Sequence, residues 1–271
     1  MKTFMKWAGN KSSVVDIIQP YLLGAKLIEP FSGSCAVSLN TKFDSYVCND
    51  INKDLIHMYT MIQADVDSFI KQAKEYFLDG NIEARFYELR EQYNNSTDKD
   101  VRACLFLYLN RHCFNGLCRY NKSGKFNVPF GRYASPYFPE KELREFAQYT
   151  ADFTFTNESF ESSFGRADSE TVIYCDPPYL PLTDTADFSK YAVDDFTLGH
   201  HKLLKELARK TANDLGCTVI ISNHDTQEIR DFYNDADEIV SFMVKRTISS
   251  KTAERKKAPE LLAVYKGKNN D

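Results

Sequence analysis

No stretch of the 271 residues is apolar over the roughly 18 positions that a membrane span needs, so the chain is not expected to cross a bilayer. Polar residues follow closely on Met1-Lys2-Thr3-Phe4, which leaves no signal-peptide core and makes the cytoplasm the expected location. The seven cysteines are odd in number and contain no CxxC pair. Cys113 and Cys118 lie near one another, but no paired-histidine spacing accompanies them, so no metal site is expected and the thiols read as reduced. His200-His201 read as helix-surface residues without chemistry. There is no internal repeat and no low-complexity tract. There is also no full GxGxxG, which disfavours a dinucleotide pyrophosphate, and "AGNKSS" lacks the upstream glycine of a phosphate loop.

One more absence is local. Between Asp100 and Glu140 there is not a single acidic residue, while Arg102, Arg111, Arg119, Lys122, Lys125 and Arg132 all fall there. A second basic cluster runs through Lys245-Arg246, Lys251 and Arg255-Lys256-Lys257. The net charge of −4 argues against a polyanion partner, whereas this distribution can be a footprint for phosphates or chance clustering on a solvated surface.

What is present is a globular composition, 43% hydrophobic and 27% charged, in a chain long enough for one domain with an insertion. Strands are expected at Leu27–Phe31, Tyr46–Cys48, Phe153–Thr156, Thr171–Cys175, Thr218–Ser222, Glu238–Lys245 and Leu261–Tyr265. Apolar residues at spacings of three and four predict helix from Asn52 to about Tyr93, then over Val101–Asn110, near 140–150 and over 197–214. Residues 111–139 are loop-like. Strands thus alternate with helices at both ends, around a helical and loop-rich block of roughly ninety residues. The reading is an α/β domain of residues 1–54 and 141–271 with an inserted domain of residues 55–140.

In open α/β sheets ligands bind beyond the carboxyl ends of strands, and Glu29, Asp50, Asp176 and Asn223 fall at such ends. They are expected to converge on one crevice. "EPFSGSCAVSLN" reads as a strand running into a helix through a loop where Gly33 and its small neighbours let a ligand approach the backbone. Asp50 is placed to accept hydrogen bonds from ribose hydroxyls. An ordinary βα turn explains either feature as well.

"YCDPPYLP" at 174–181 is harder to explain as a simple strand-ending turn. An exocyclic amino group on a nucleobase has two N–H donors and a lone pair delocalised into the ring. To make that nitrogen a nucleophile, both protons must be engaged by acceptors. Asp176 supplies a carboxylate, and the prolines supply carbonyls without a competing N–H. Pro177 and Pro178 stiffen the turn, and Tyr179 offers a face for a base flipped from its duplex. The stretch reads as an amino-group clamp.

DPPY after a strand, with "EPFSGS" upstream, resembles the amino-methyltransferases that use S-adenosylmethionine. The order "FMKWAGNK", cofactor loop, long insertion, DPPY is similar to the DNA adenine methyltransferases of the bacterial Dam group. The likeness extends through "LYLNRHCFNGLCRYNKSGKFNVPFGRY", "ISNHD" and "RTISSKTAERKKAPELLAVYK", almost the whole chain. It implies a Rossmann-like methyltransferase fold with a mixed, mostly parallel sheet and an inserted, mainly helical target-recognition domain. It also implies methylation of adenine N6 in GATC on double-stranded DNA, with S-adenosylhomocysteine as product and no metal. Catalytic positions are then Asp176, Pro177, Pro178 and Tyr179. Cofactor positions are Trp7, Lys11, Glu29, Phe31, Gly33, Asp50 and Asp176. DNA is contacted by Lys6, Phe114 as a wedge, Asn115, Leu117, Arg119, Asn121 and Arg132, with Lys256 and Lys257 on phosphates.

Two departures stand out, Ser34-Cys35 where glycine is frequent and Phe114 where tyrosine is familiar. Trp7 can equally be core, and Phe114 can fill a small core of the insertion. Arg119 has no acid nearby, which favours a base or phosphate contact. A cytosine-N4 methyltransferase, a catalytically inactive DNA-binding homologue and a protein-glutamine methyltransferase are the alternatives. The aspartate at the head of the motif, the intact motifs and the acid-free block weigh against them in turn. A nucleoid-associated monomer is expected.

Overall fold

The computed structural model describes residues 1–78, 81–179, 196–245 and 257–267. Seven strands form one sheet: β1 (Lys26–Glu29), β2 (Ser45–Asn49), β3 (Phe153–Thr156), β4 (Thr171–Cys175), β5 (Thr218–His224), β6 (Glu238–Lys245) and β7 (Lys257–Tyr265). Their order is β3-β2-β1-β4-β5-β7-β6. The first five are mutually parallel, and β7 runs antiparallel to both β5 and β6. The mixed, mostly parallel sheet expected of the methyltransferase fold is present, and every residue of β4 is buried, as its unbroken β-branched and aromatic run requires.

The helices are α1 (Val15–Ile18), α2 (Lys53–Ala64), α3 (Val66–Glu75), α4 (Glu83–Asn95), α5 (Lys99–His112), α6 (Glu140–Tyr149), α7 (Phe160–Phe164), α8 (Leu198–Leu215) and α9 (Gln227–Phe232). Their starts follow from capping chemistry. Asn52 accepts from the Asp54 and Leu55 amides, Asp65 from Ser68, and Asp98 from Asp100 and Val101. α8 opens with a capping box between Thr197 and His200 and ends at Gly216, whose φ of +72° needs no Cβ.

One face of the sheet packs against α1–α6. A single apolar cluster joins Leu27, Tyr174 and Ile220 of the strands to Leu55, Phe106 and Phe146 of the helices. The opposite face packs against α7–α9 through Ile173, Ile221, Leu204 and Ile229. The inserted helices therefore share a core with the sheet. The helix expected in "SGSCAVSLN" does not form; turns and a short 3-10 segment (Ser38–Asn40) replace it. Cys35 is held at φ +55°, Asn40 Nδ2 donates to the Ala36 carbonyl at 2.8 Å, and Thr41 Oγ1 donates to that of Val37 at 2.9 Å. Side chains that bond to the local backbone compete with helix here.

Candidate active site

The strand order reverses between β1 and β4, and the crevice lies beyond their carboxyl ends. Asp176 follows β4 directly. Lys11 Nζ lies 3.0 Å from its Oδ1, and Ser222 Oγ donates to the same oxygen at 2.7 Å. Both contacts fall on one oxygen, so among the described residues Oδ2 keeps its acceptor capacity. Lys11 is only 5% exposed. Burial works against its charge, but Asp176, Tyr174 and Glu260 outweigh it and raise the ammonium pKa above the ordinary lysine value. Pro177 is buried and Pro178 exposed. The Tyr179 hydroxyl donates to Glu260 Oε2 at 2.9 Å, and its ring meets that of His224 edge-on at 4.6 Å. Burial, with the charges of Asp176 and Glu260, pushes the phenol pKa well up and keeps the hydroxyl a donor.

The loop after β1 is fixed by both neighbouring strands. Asp50 Oδ2 accepts from the Gly33 amide at 3.0 Å and Oδ1 from that of Asn52 at 2.9 Å, while Tyr59 donates to the Gly33 carbonyl at 2.7 Å. Burial raises the Asp50 pKa against those two amide bonds. Gly33 has φ +46°, and a Cβ there would run into the indole nitrogen of Trp7. Trp7 is half-buried and covers the loop. Glu29 instead turns into the interior, where Oε2 accepts from the Ser38 amide at 3.0 Å and from the Ser38 hydroxyl. Burial is the main cause of its pKa rising to about 7. Phe31 stacks on Phe160 at 5.5 Å and meets Phe196 edge-on. A side-chain-free Gly33 under an aromatic wall and an acid at the next strand end fit S-adenosylmethionine.

The loop after α5 lies beside the N-terminal segment. Asn110 Oδ1 accepts from the Lys6 amide at 2.9 Å, and Asn110 Nδ2 donates to the carbonyls of Lys6 at 2.7 Å and Gly116 at 3.0 Å. Lys6 Nζ sits over the Tyr133 ring at 3.7 Å, and burial lowers its pKa. Phe114 is 42% exposed, too open for a core residue. Asn115 takes φ +55°, and Leu117 is half-buried. Arg119 Nε donates to Asn127 Oδ1 at 2.7 Å, a neutral brace in a loop without acids. Asn121 builds the exposed turn by accepting from the Ser123 and Lys125 amides. Arg132 is exposed, at φ +49°, with Glu83 at 3.7 Å.

A family model for the D12 class N6 adenine-specific DNA methyltransferases matches residues 7–248. The chain belongs to that class. It is 46% identical over 267 residues to a DNA adenine methylase of Serratia marcescens, covering 98% of each chain. It is 47% identical to that of Vibrio cholerae serotype O1, covering 97% of this chain and 96% of the relative. To the DNA adenine methylase of Escherichia coli K12 it is 46% identical, covering 98% and 95%.

Within this D12-class enzyme several expected placements change. Asn223 does not reach the crevice. Strand side chains alternate, so Ser222 faces Asp176 while Asn223 turns to the opposite face, near Tyr233. His201 is not on a helix surface: it is fully buried beneath Phe196, beside the Pro178 backbone, and burial lowers its pKa to about 4. Arg102 leaves the basic patch, because it forms a two-pronged pair with Asp54 at 2.8 and 2.6 Å. Arg111 is half-buried and donates to the Tyr137 carbonyl at 3.0 Å. Lys257 is exposed at the start of β7. Lys256, Arg246, Lys251 and Arg255 lie outside the described residues. Sequence reading missed Ser222 and Glu260. The signal for Glu260 was an acid inside the apolar run "PELLAVY".

Proposed function

We propose that this DNA adenine methyltransferase moves the methyl group of S-adenosylmethionine to N6 of an adenine flipped out of GATC in double-stranded DNA. When bound, that molecule supplies an electrophilic methyl on a sulfonium. The observation carrying the reading is Asp176, paired with Lys11 and held through one oxygen, with Pro177 directly after it. Oδ2 and the Pro177 carbonyl accept the two amino protons and draw the nitrogen lone pair out of conjugation. These acceptors are fixed before the base arrives, so little reorganisation accompanies the reaction. Tyr179 provides the stacking face, and Pro178 stiffens the turn.

Trp7, Phe31, Gly33 and Asp50 hold the methyl donor, while Glu29 shapes their loop and Lys11 serves Asp176. Residues 55–140 form the recognition block. Within it, Phe114 is the wedge, and Asn115, Leu117, Arg119, Asn121 and Arg132 contact DNA together with Lys6. Lys256 and Lys257 meet phosphates, which position the protein but carry no sequence information. The enzyme works in the cytoplasm on the nucleoid, as a monomer and without a metal.

The test is to incubate the full chain with S-adenosylmethionine and duplexes with or without GATC, and to analyse the nucleosides by mass spectrometry. N6-methyladenine confined to the GATC duplex is expected. N4-methylcytosine, or methylation indifferent to sequence, would refute the reading.

A further inference from the structure

We infer that Glu260 is a positioning residue for methyl transfer, anchoring the hydroxyl end of the Tyr179 ring against which the target base rests. This deepens the reading above and depends on it. Topology explains how a residue so late in the chain reaches the crevice. β7 is antiparallel, with Glu260 in register with His224, so its first half lies at the carboxyl end of β5. The five residues after Glu260, Leu261 to Tyr265, are at most 1% exposed, and Glu260 itself is 6% exposed. A carboxylate buried in such a run is costly unless hydrogen-bonded or paired.

Its partners show what it is for. Lys11 already has Asp176 at 3.0 Å, and Glu260 stands farther off, at 3.6 Å. The shorter contact of Glu260 is with the Tyr179 hydroxyl, at 2.9 Å. Tyr179 is thus tethered at both ends. Its backbone leaves the stiff Pro177-Pro178 turn, and its hydroxyl donates its single proton to Glu260. His224 braces the ring edge-on, at an interplanar angle of 84°. A ring fixed in this way meets the base without first losing rotational freedom, which an untethered tyrosine would have to do at each encounter. The raised phenol pKa agrees with a hydroxyl that always donates.

The experiment uses Glu260→Gln, Glu260→Leu, Tyr179→Phe and the double variant Tyr179→Phe/Glu260→Leu, each as the full chain. Glutamine keeps an acceptor for the hydroxyl and removes the charge; leucine removes both. Two readouts are taken: the single-turnover transfer rate on a GATC duplex, and the fluorescence of a duplex with 2-aminopurine at the target position, measured without the methyl donor. Glu260→Leu and Tyr179→Phe should each slow transfer on the order of tenfold and weaken the fluorescence rise. The double variant should be no slower than either single one, and Glu260→Gln should retain most of the rate. Additive losses, or a glutamine variant as slow as the leucine variant, would overturn the inference. If leucine fails to fold, Glu260→Gln and Tyr179→Phe still decide, since a charge role predicts the reverse order. A wild-type chain that does not methylate adenine would refute the functional reading instead, so the two failures are separable.

Discussion

Ser222 donates its hydroxyl to Asp176 Oδ1 at 2.7 Å across the β4–β5 boundary and so fixes the rotamer of the carboxylate before any substrate arrives. The remaining oxygen is thereby aimed by a residue that has no chemistry of its own.

Replacing Asp176 with alanine should accordingly do two things. Transfer should slow by about 10²- to 10³-fold, the usual scale for losing one preorganised electrostatic partner. Stability should fall by roughly 3 kcal/mol, because Lys11, with its side chain 6% exposed, loses its nearer counter-charge. Single-turnover kinetics and urea unfolding measure the two effects, while DNA affinity should survive. A variant of near-normal turnover would remove Asp176 from the mechanism.

Gly33→Ala should selectively disable the loop beneath Trp7. A φ of +46° strains any side chain by ~1–3 kcal/mol, and the added methyl also meets the indole. Calorimetry with S-adenosylhomocysteine should show affinity down by about tenfold or more, and the same strain should lower the thermal midpoint by roughly 2–4 °C per kcal/mol. Asp50→Ala frees the Gly33 amide and should weaken the same binding, leaving DNA affinity without cofactor intact.

Arg119 and Lys257 should separate base reading from phosphate contact. With Nε held by Asn127, the guanidinium is oriented in advance, as a two-pronged contact to a guanine edge requires. Arg119→Ala should lower discrimination against one-mismatch sites by roughly 1–3 kcal/mol. Lys257→Ala should weaken binding to all duplexes alike and flatten its salt dependence. The ratio of methylation efficiencies on cognate and mismatched duplexes distinguishes them; equal loss on both for Arg119→Ala would make it a phosphate contact.

Stability should depend on pH in two opposed ways. Burial raises the Glu29 pKa from 4.5 to about 7, so the folded state holds its proton more tightly than the unfolded one. That contribution is fully present below pH 4.5 and is lost as pH rises through 7. Burial lowers the pKa values of His112 and His201 from 6.5 to about 4, so their contribution is present above 6.5 and is lost as pH falls toward 4. Glu29→Gln keeps the Ser38 bonds without a titrating group. Relative to wild type it should gain on the order of 2–3 kcal/mol between pH 5 and pH 8 in urea unfolding. A constant difference across that range would show that Glu29 titrates normally.

Much of this architecture was legible because local chemistry decides it. The β-branched runs of β3, β4 and β6 end where expected, and Asn52 starts its helix where expected, but the one helix expected from Asn52 to about Tyr93 is three, α2, α3 and α4, because Asp65 caps a new start. What escaped depends on partners distant in sequence. Arg102 reads as part of a basic patch in sequence because Asp54, which pairs with it, lies far outside the acid-free window. Asn223 was chosen over Ser222 because a strand end can be located from sequence more readily than the side of the sheet its last residues face. Glu260 enters the crevice only through antiparallel register, which no local pattern encodes.

The direction of β7 also orders events during synthesis. A chain emerges from its amino end, and its early segments can fold as they appear. Lys11, the loop beneath Trp7 and the DPPY turn are all translated before the strand that lies against β5 on its far side. All nine helices named above also precede β7, so the last of these elements to emerge is the strand that brings Glu260 to Tyr179. Glu260 is thus the last of the crevice residues described here to be translated, and the Tyr179 tether is completed after every other contact of the crevice has been encoded.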